Sequence, residues 1–156
     1  MAFSCAPTDE SFLTSAPKIY RDSFAIPLPA AAVWADLTSD SALHWCKALT
    51  TVRWTSPRPH GVGATKTVKV LGLISLDERY IAWDEGTRKA FVGDRSNLPL
   101  IKRIAEDYVV TPTGDSSCRF DWTIAVEPTA AGRPGGPLNG AIFGSLFKDT
   151  RRHYGA

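Results

Sequence analysis

The chain holds 156 residues, of which 44% are hydrophobic and 22% charged, and its 18 lysines and arginines stand against 16 acids. One domain of this length buries about 68 to 70% of the surface its unfolded form exposes, enough for a stable core without disulfides or metals, and the composition excludes a disordered chain. A formal net charge of +2 argues against a nucleic-acid groove, and no uninterrupted apolar run has the roughly 18 residues that a transmembrane segment needs. Residues 1–7 lack the basic-then-apolar order of a secretory leader, so the cytoplasm is the expected compartment.

Residues 1–17, polar and proline-bearing with little periodicity, read as a mobile or loosely docked tail, and residues 18–156 as the domain. From Lys18 to Ile26 the side chains of Tyr20, Phe24 and Ile26 share one parity, the pattern of a first strand, which Pro27 and Pro29 stop. Pro29 suits the opening of a helix because its missing N–H would be unpaired there, and residues 30–37 supply helix formers with Val33, Trp34 and Leu37 on one face. A second short helix is expected over 40–48, entered through Thr38, Ser39 and Asp40 as capping residues.

Strands follow. One carries Val52 and Trp54, and the next cover 65–71, 73–83, 88–94, 101–111 and 117–127, separated by glycine and proline turns as in a six-strand meander. The cleanest alternation sets Cys118, Phe120, Trp122, Ile124 and Val126 against Arg119, Asp121, Thr123, Ala125 and Glu127, which gives that strand one wet face. After a glycine- and proline-rich break at 131–137 the spacing turns helical, with Leu138, Ile142, Phe143, Leu146, Phe147 and Tyr154 at steps of three and four. Strands in succession with helices near both ends define an α+β fold.

Cys5, Cys46 and Cys118 form no CxxC, and His44, His60 and His153 form no HxH or HxxxH, so reduced thiols and no metal or other cofactor are expected. Gly61-Val62-Gly63 precedes a strand and not a helix, which makes it a turn instead of a phosphate loop, and the absence of GxSxG disfavours a serine hydrolase. Lys148, Arg151, Arg152 and His153 suit the negative pole of the last helix.

Several stretches carry recognisable local text: Pro29-Ala30-Ala31-Ala32-Val33-Trp34, Asp40 through Trp45, Gly61-Val62-Gly63-Ala64-Thr65, Glu78-Arg79 with Trp83-Asp84, Thr111-Pro112-Thr113-Gly114 and Phe120-Asp121-Trp122. In this order, over about residues 18 to 154, they resemble the START-like, or Bet v 1-like, helix-grip superfamily, and within it the polyketide cyclase/dehydrase and lipid-transport group. Cys46 departs from the family's proline, and residues 95–100 form a short segment. The resemblance implies a curved antiparallel sheet of six to seven strands wrapped around a long C-terminal helix, with two short helices after the first strand. It also implies a cavity between sheet and helix that holds a small apolar molecule.

Tryptophan buries much area yet has one N–H needing a partner, so the chain's five tryptophans suit the wall of a partly polar pocket. Trp34 is read as core. Trp45, Trp54, Trp83, Phe120 and Trp122, with Phe143 and Phe147 from the helix, are candidates both for core wall and for ligand lining. Arg79 shares parity with Asp77, Ile81 and Trp83, and Glu78 with Leu76, Tyr80 and Ala82, so alternation leaves open which set faces inward. Taken alone, Arg79 reads as a solvated arginine; the resemblance implies that it points into the pocket and orients a ligand carbonyl. An inward guanidinium demands a partner, for which Glu106 is one candidate, unless a bulge turns it to solvent, and Asp77 another, with Arg79 or Tyr108 fixing the polar end of a ligand.

The expected function is binding of a small, largely apolar ligand of lipid, isoprenoid or polyketide type, as carrier or sensor, by a monomer or homodimer. A cyclase-like enzyme is the alternative, with Arg79 stabilising a developing enolate or alkoxide and Glu106 moving protons. The third is a protein-interaction module built on the basic last helix, which requires a filled interior.

Overall fold

The computed structural model describes residues 2–156. Its elements run β1 (Phe3–Ser4), α1 (Phe12–Ser15), β2 (Lys18–Ile26), α2 (Ala30–Leu37), β3 (Leu49–Trp54), β4 (Thr65–Val70), β5 (Ile74–Asp84), β6 (Arg88–Ser96), β7 (Ile101–Gly114), β8 (Ser117–Pro128), a 3₁₀ turn (Arg133–Gly135) and α3 (Gly136–Tyr154). The strands from β3 to β8 each pair antiparallel with their chain neighbour, as the meander requires, and β2 returns to pair with β8, giving the order β2-β8-β7-β6-β5-β4-β3. This curled sheet grips α3, and the α+β helix-grip expectation holds.

Two apolar layers follow from strand alternation. The concave face carries Phe24, Ile26, Val68, Leu76, Tyr80, Phe91, Ile104, Tyr108, Phe120 and Trp122, packed with Val33, Trp34 and Leu37 of α2 and Ile142, Leu146 and Phe147 of α3. The convex face carries a smaller layer, Ala90, Val92, Ala105 and Ala125, capped by Phe12 and Leu13 of α1.

That cap corrects the expectation of a loose leading segment. Phe3 and Ser4 pair with Ser96 and Arg95 of β6, and the amides of Cys5 and Ala6 donate to the carbonyls of Asp94 and Lys102. The β6–β7 pairing runs no further than Val92 and Ala105, and the leading residues fill the gap beyond it. Periodicity missed this because a two-residue strand and a one-turn helix are too short to show a period.

The helix expected over 40–48 is also corrected. Residues 40–45 form turns, and Leu43 takes a left-handed backbone with φ of 59°, a conformation that an α-helix cannot include. Burial of the Leu43 side chain in the concave layer is what this turn achieves. Leu138, assigned to the apolar face of the last helix, stands exposed on its first turn. No helix among the described residues is long and apolar enough to cross a membrane.

Two bulges in the β5–β6 pairing decide which residues reach the interior. Asp77 pairs with Arg95 and Glu78 with Gly93, so Asp94 is the extra residue on β6; Tyr80 pairs with Phe91 and Ala82 with Ala90, so Ile81 is the extra residue on β5. The second bulge reverses parity between Tyr80 and Trp83, and both end against the concave layer.

Candidate functional site

Between the concave sheet and α3 lies a cavity of about 80 Å³. Its apolar walls include Val68, Val70, Leu76 and Ile104 from the strands, Leu43 from the turn after α2, and Ile142, Phe143 and Leu146 from α3. Five polar side chains line it, Lys66 of β4, Glu78 of β5, Glu106 and Tyr108 of β7 and Asn139 of α3, with the indole of Trp122 from β8 beside them.

Register explains the convergence. Lys66 lies directly opposite Glu78, Phe91 opposite Glu106, and Tyr108 opposite Trp122, so inward positions of successive strands form one band across the sheet. Gly93, opposite Glu78, is a close-packed point: a Cβ there would lie 2.5 Å from Ile104 Cγ2 and 3.0 Å from Leu76 Cδ1. Its missing side chain lets two lining residues close over the strand.

The polar groups form two linked sets. In one, Lys66 Nζ donates to the Tyr80 hydroxyl at 3.1 Å and lies 3.4 Å from Glu78 Oε2. Lys89 Nζ donates to the Leu37 carbonyl and lies 3.3 Å from the same tyrosine hydroxyl. Both ammonium groups also lie over aromatic rings, Lys66 at 5.1 Å from Phe91 and Lys89 at 4.8 Å from Tyr108, contacts that favour a desolvated cation. In the other set, Glu106 Oε2 accepts from the Tyr108 hydroxyl at 3.0 Å and from Trp122 Nε1 at 2.9 Å.

Burial sets the proton balance. It pushes the Glu78 carboxyl up to about 7, against the pull of Lys66 and with help from Glu106. Glu106 is raised for the same first reason, with Trp122, Lys66 and Tyr108 acting in the opposite sense. For Lys66 the burial penalty is outweighed by Tyr80 and Glu78, so its ammonium is kept. Lys89 is driven well below the ordinary lysine range, first by burial and then by the Lys66 charge. The Tyr80 hydroxyl oxygen thus accepts from both lysines, which ties the two strands' ammonium groups to one buried phenol.

Of the residues singled out from sequence, the structure gathers Glu106, Tyr108, Trp122 and Phe143 at the cavity. Phe120 and Phe147 are buried in the adjoining core, Phe147 edge-on to Trp122 at 5.3 Å. Trp45 lies at the far end of α3, stacked on His153 at 4.0 Å and donating to Thr150. Trp54 stacks on His60 at 3.8 Å, and Trp83 donates to Glu85; both belong to an aromatic cluster beside α2, outside the cavity walls.

Arg79 is the main correction. Its side chain is 45% exposed and forms a two-pronged ion pair with Asp94 on the convex face, while its neighbour Glu78, at 3% exposure, takes the inward place. Strand alternation forbids both from facing in, and a carboxylate opposite Lys66 is compensated where a guanidinium would be repelled. Sequence reasoning missed Lys66, Lys89 and Glu78 as site residues. A signal existed: Lys66 shares parity with Val68 and Val70, and Lys89 with Phe91, which places each lysine on an apolar face.

A sheet curled over one long helix around an apolar cavity defines the class of START-like helix-grip proteins. A START superfamily protein from Mycobacterium smegmatis superimposes with a TM-score of 0.71 at 10% identity, covering 87% of this chain and 96% of that one. The ginseng major latex-like protein 151 from Panax ginseng gives 0.65 at 14% identity, with coverage of 88% and 97%. In sequence, a profile of the family described as polyketide cyclase / dehydrase and lipid transport matches residues 19–153, and the chain belongs to that family. Uncharacterized proteins of Mycobacterium tuberculosis and Mycobacterium bovis are each 30% identical over 156 residues, spanning 97% of this chain and 93% of the relative.

Proposed function

We propose that the protein binds a small, largely apolar molecule between sheet and C-terminal helix, with the molecule's polar end at Lys66, Glu78, Glu106 and Tyr108, and acts as a carrier or sensor. The observation that carries this reading is an apolar-walled cavity bordered by buried, charged side chains. Buried charge weakens a fold relative to apolar packing, so its retention beside an unfilled space favours a binding role over a structural one. Membership in a family described by cyclase, dehydrase and lipid-transport activity supports the same class of ligand.

A cavity of about 80 Å³ is smaller than the roughly 300 Å³ at the low end of small-molecule sites. A ligand of more than a few non-hydrogen atoms therefore requires α3 to move outward. Gly140 and Gly144 lie in the half of α3 that borders the cavity, and each lowers helix stability by about 1 kcal/mol relative to alanine, which makes that half the yielding wall.

Native mass spectrometry of gently purified protein is expected to show a bound apolar molecule. It should be absent from Ile142→Trp, whose indole fills the space while far-UV circular dichroism stays unchanged, and present in Arg79→Ala. Identical spectra for the protein and its Ile142→Trp variant, with no thermal shift on adding apolar compounds to either, would refute the reading. The cyclase alternative loses its proposed arginine to the convex face; what favours a catalytic reading instead is Glu78, ionising near 7 at the cavity wall, and turnover of a poly-β-ketone that vanishes in Glu78→Gln would establish it.

A further inference from the structure

The unused hydrogen-bonding capacity of the cavity specifies the head group. Glu78 lines the cavity, is almost wholly buried, and its Oε2 receives no hydrogen bond among the described residues. Glu106 takes both of its donors on Oε2, which leaves its other oxygen available as an acceptor. Lys66 has three N–H groups; one serves Tyr80, and one lies towards Glu78 without good alignment. The site thus offers carboxyl acceptors and an ammonium donor close together on the sheet, facing the Asn139 amide on the helix wall. Resting on the reading of this cavity as a ligand site, we propose that it selects a neutral hydroxyl head group, an alcohol or phenol, over a carboxylate, an amine or an ether.

A hydroxyl is the smallest group that donates to a carboxylate and accepts from an ammonium at once. An ether oxygen accepts from Lys66 but leaves the Glu78 oxygen unpaired. A carboxylate brings a third carboxyl group to a wall where burial already raises the pKa values of Glu78 and Glu106, and repulsion from Glu106 raises that of Glu78 further, and an ammonium meets Lys66 where the third N–H of that lysine would otherwise be used. Hydrogen bonds to charged partners inside an apolar site are the stronger ones, and leaving such a partner buried and unpaired is the costly outcome.

Titration calorimetry at neutral pH with 1-octanol, 1-methoxyheptane, octanoate and octylammonium separates these chemistries at nearly constant chain length. The expected result is 1-octanol binding about tenfold or more tightly than 1-methoxyheptane, with both ions weaker than the alcohol. The paired replacement Lys66→Met with Glu78→Leu, which strands neither charge, should bring alcohol and ether to within a few-fold of each other. Equal binding of alcohol and ether by the unmodified protein, or tightest binding of octanoate or octylammonium, would overturn the head-group assignment and leave the cavity reading intact. Silence from all four compounds would overturn the cavity reading, and the assignment with it.

Discussion

Removing the two charges of the Lys66–Glu78 pair one at a time and then together is expected to give strongly non-additive losses of stability. The pair is 1% and 3% exposed with 3.4 Å between Nζ and Oε2, a separation at which opposite unit charges attract by about 5 kcal/mol for an effective dielectric of about 20. Glu78→Leu strands the Lys66 ammonium, and losing one partner of a buried pair costs about 3 to 5 kcal/mol. Lys66→Met is milder, about 1 to 3 kcal/mol, because burial already holds the Glu78 carboxyl near 7 and it can take up a proton. The double variant leaves no stranded charge and should fall within about 1 kcal/mol of the original protein or exceed it. Urea unfolding followed by circular dichroism, with unchanged denaturant slope, measures all three. Losses that sum in the double variant would refute the idea that the two residues act as one charge-compensated unit.

Two further outcomes follow from the same region. Because the folded-state value of Glu78 is raised to about 7, the native state holds a proton that the unfolded chain releases near pH 4.3. The stabilisation from that proton is complete below about pH 4.3 and is lost as pH rises to about 7, so the stability of the protein relative to Glu78→Gln should fall by about 4 kcal/mol across that window; a flat or rising difference would contradict the assignment. Gly93→Ala should cost about 1 to 3 kcal/mol by overpacking, since its methyl group would lie 2.5 Å from Ile104 and 3.0 Å from Leu76, which line the cavity; an unchanged melting temperature would show that those side chains yield freely.

The fold was legible because its long elements announce their period. The alternation from Cys118 to Val126 and the helical spacing from Ile142 to Tyr154 correspond to β8 and α3. The site was legible in part. Glu106 and Tyr108 shared parity with Ile104 and Val110, and the structure keeps that face inward. Around Arg79 alternation left the inward set open, its reading alone as a solvated arginine agrees with the structure, and the inward place that the resemblance implied is overturned for a physical reason. Trp83 does pack against the concave layer, and unbroken alternation from it would carry Arg79 inward as well, but the extra residue at Ile81 shifts the phase so that Glu78 and Tyr80 face the cavity side instead. A bulge leaves no mark on composition, and one inserted residue exchanges the two faces of a strand.

The charged band makes sense only beside the space it borders. Were the interior closed, apolar residues at positions 66, 78, 89 and 106 would give an equal or firmer core, because desolvating ions costs more than burying methyl groups. Were the cavity wholly apolar, any greasy molecule of suitable size would enter, since removing surface from water is non-directional. In the proposed binding role, apolar walls would supply the driving force, and the band would supply the requirement that one particular atom of the guest both donate and accept a hydrogen bond at a fixed depth. Lys66 and Glu78 on paired strands, with Glu106 on β7 carrying its own two donors, hold that requirement rigidly on the sheet. The adjustment to guest size is left to α3, whose glycine-bearing half forms the opposite wall. On the proposed binding role, selection by the head group and accommodation of the tail reside on different elements, so substitutions on the strands should change which molecule is chosen and substitutions on α3 how large a molecule is admitted.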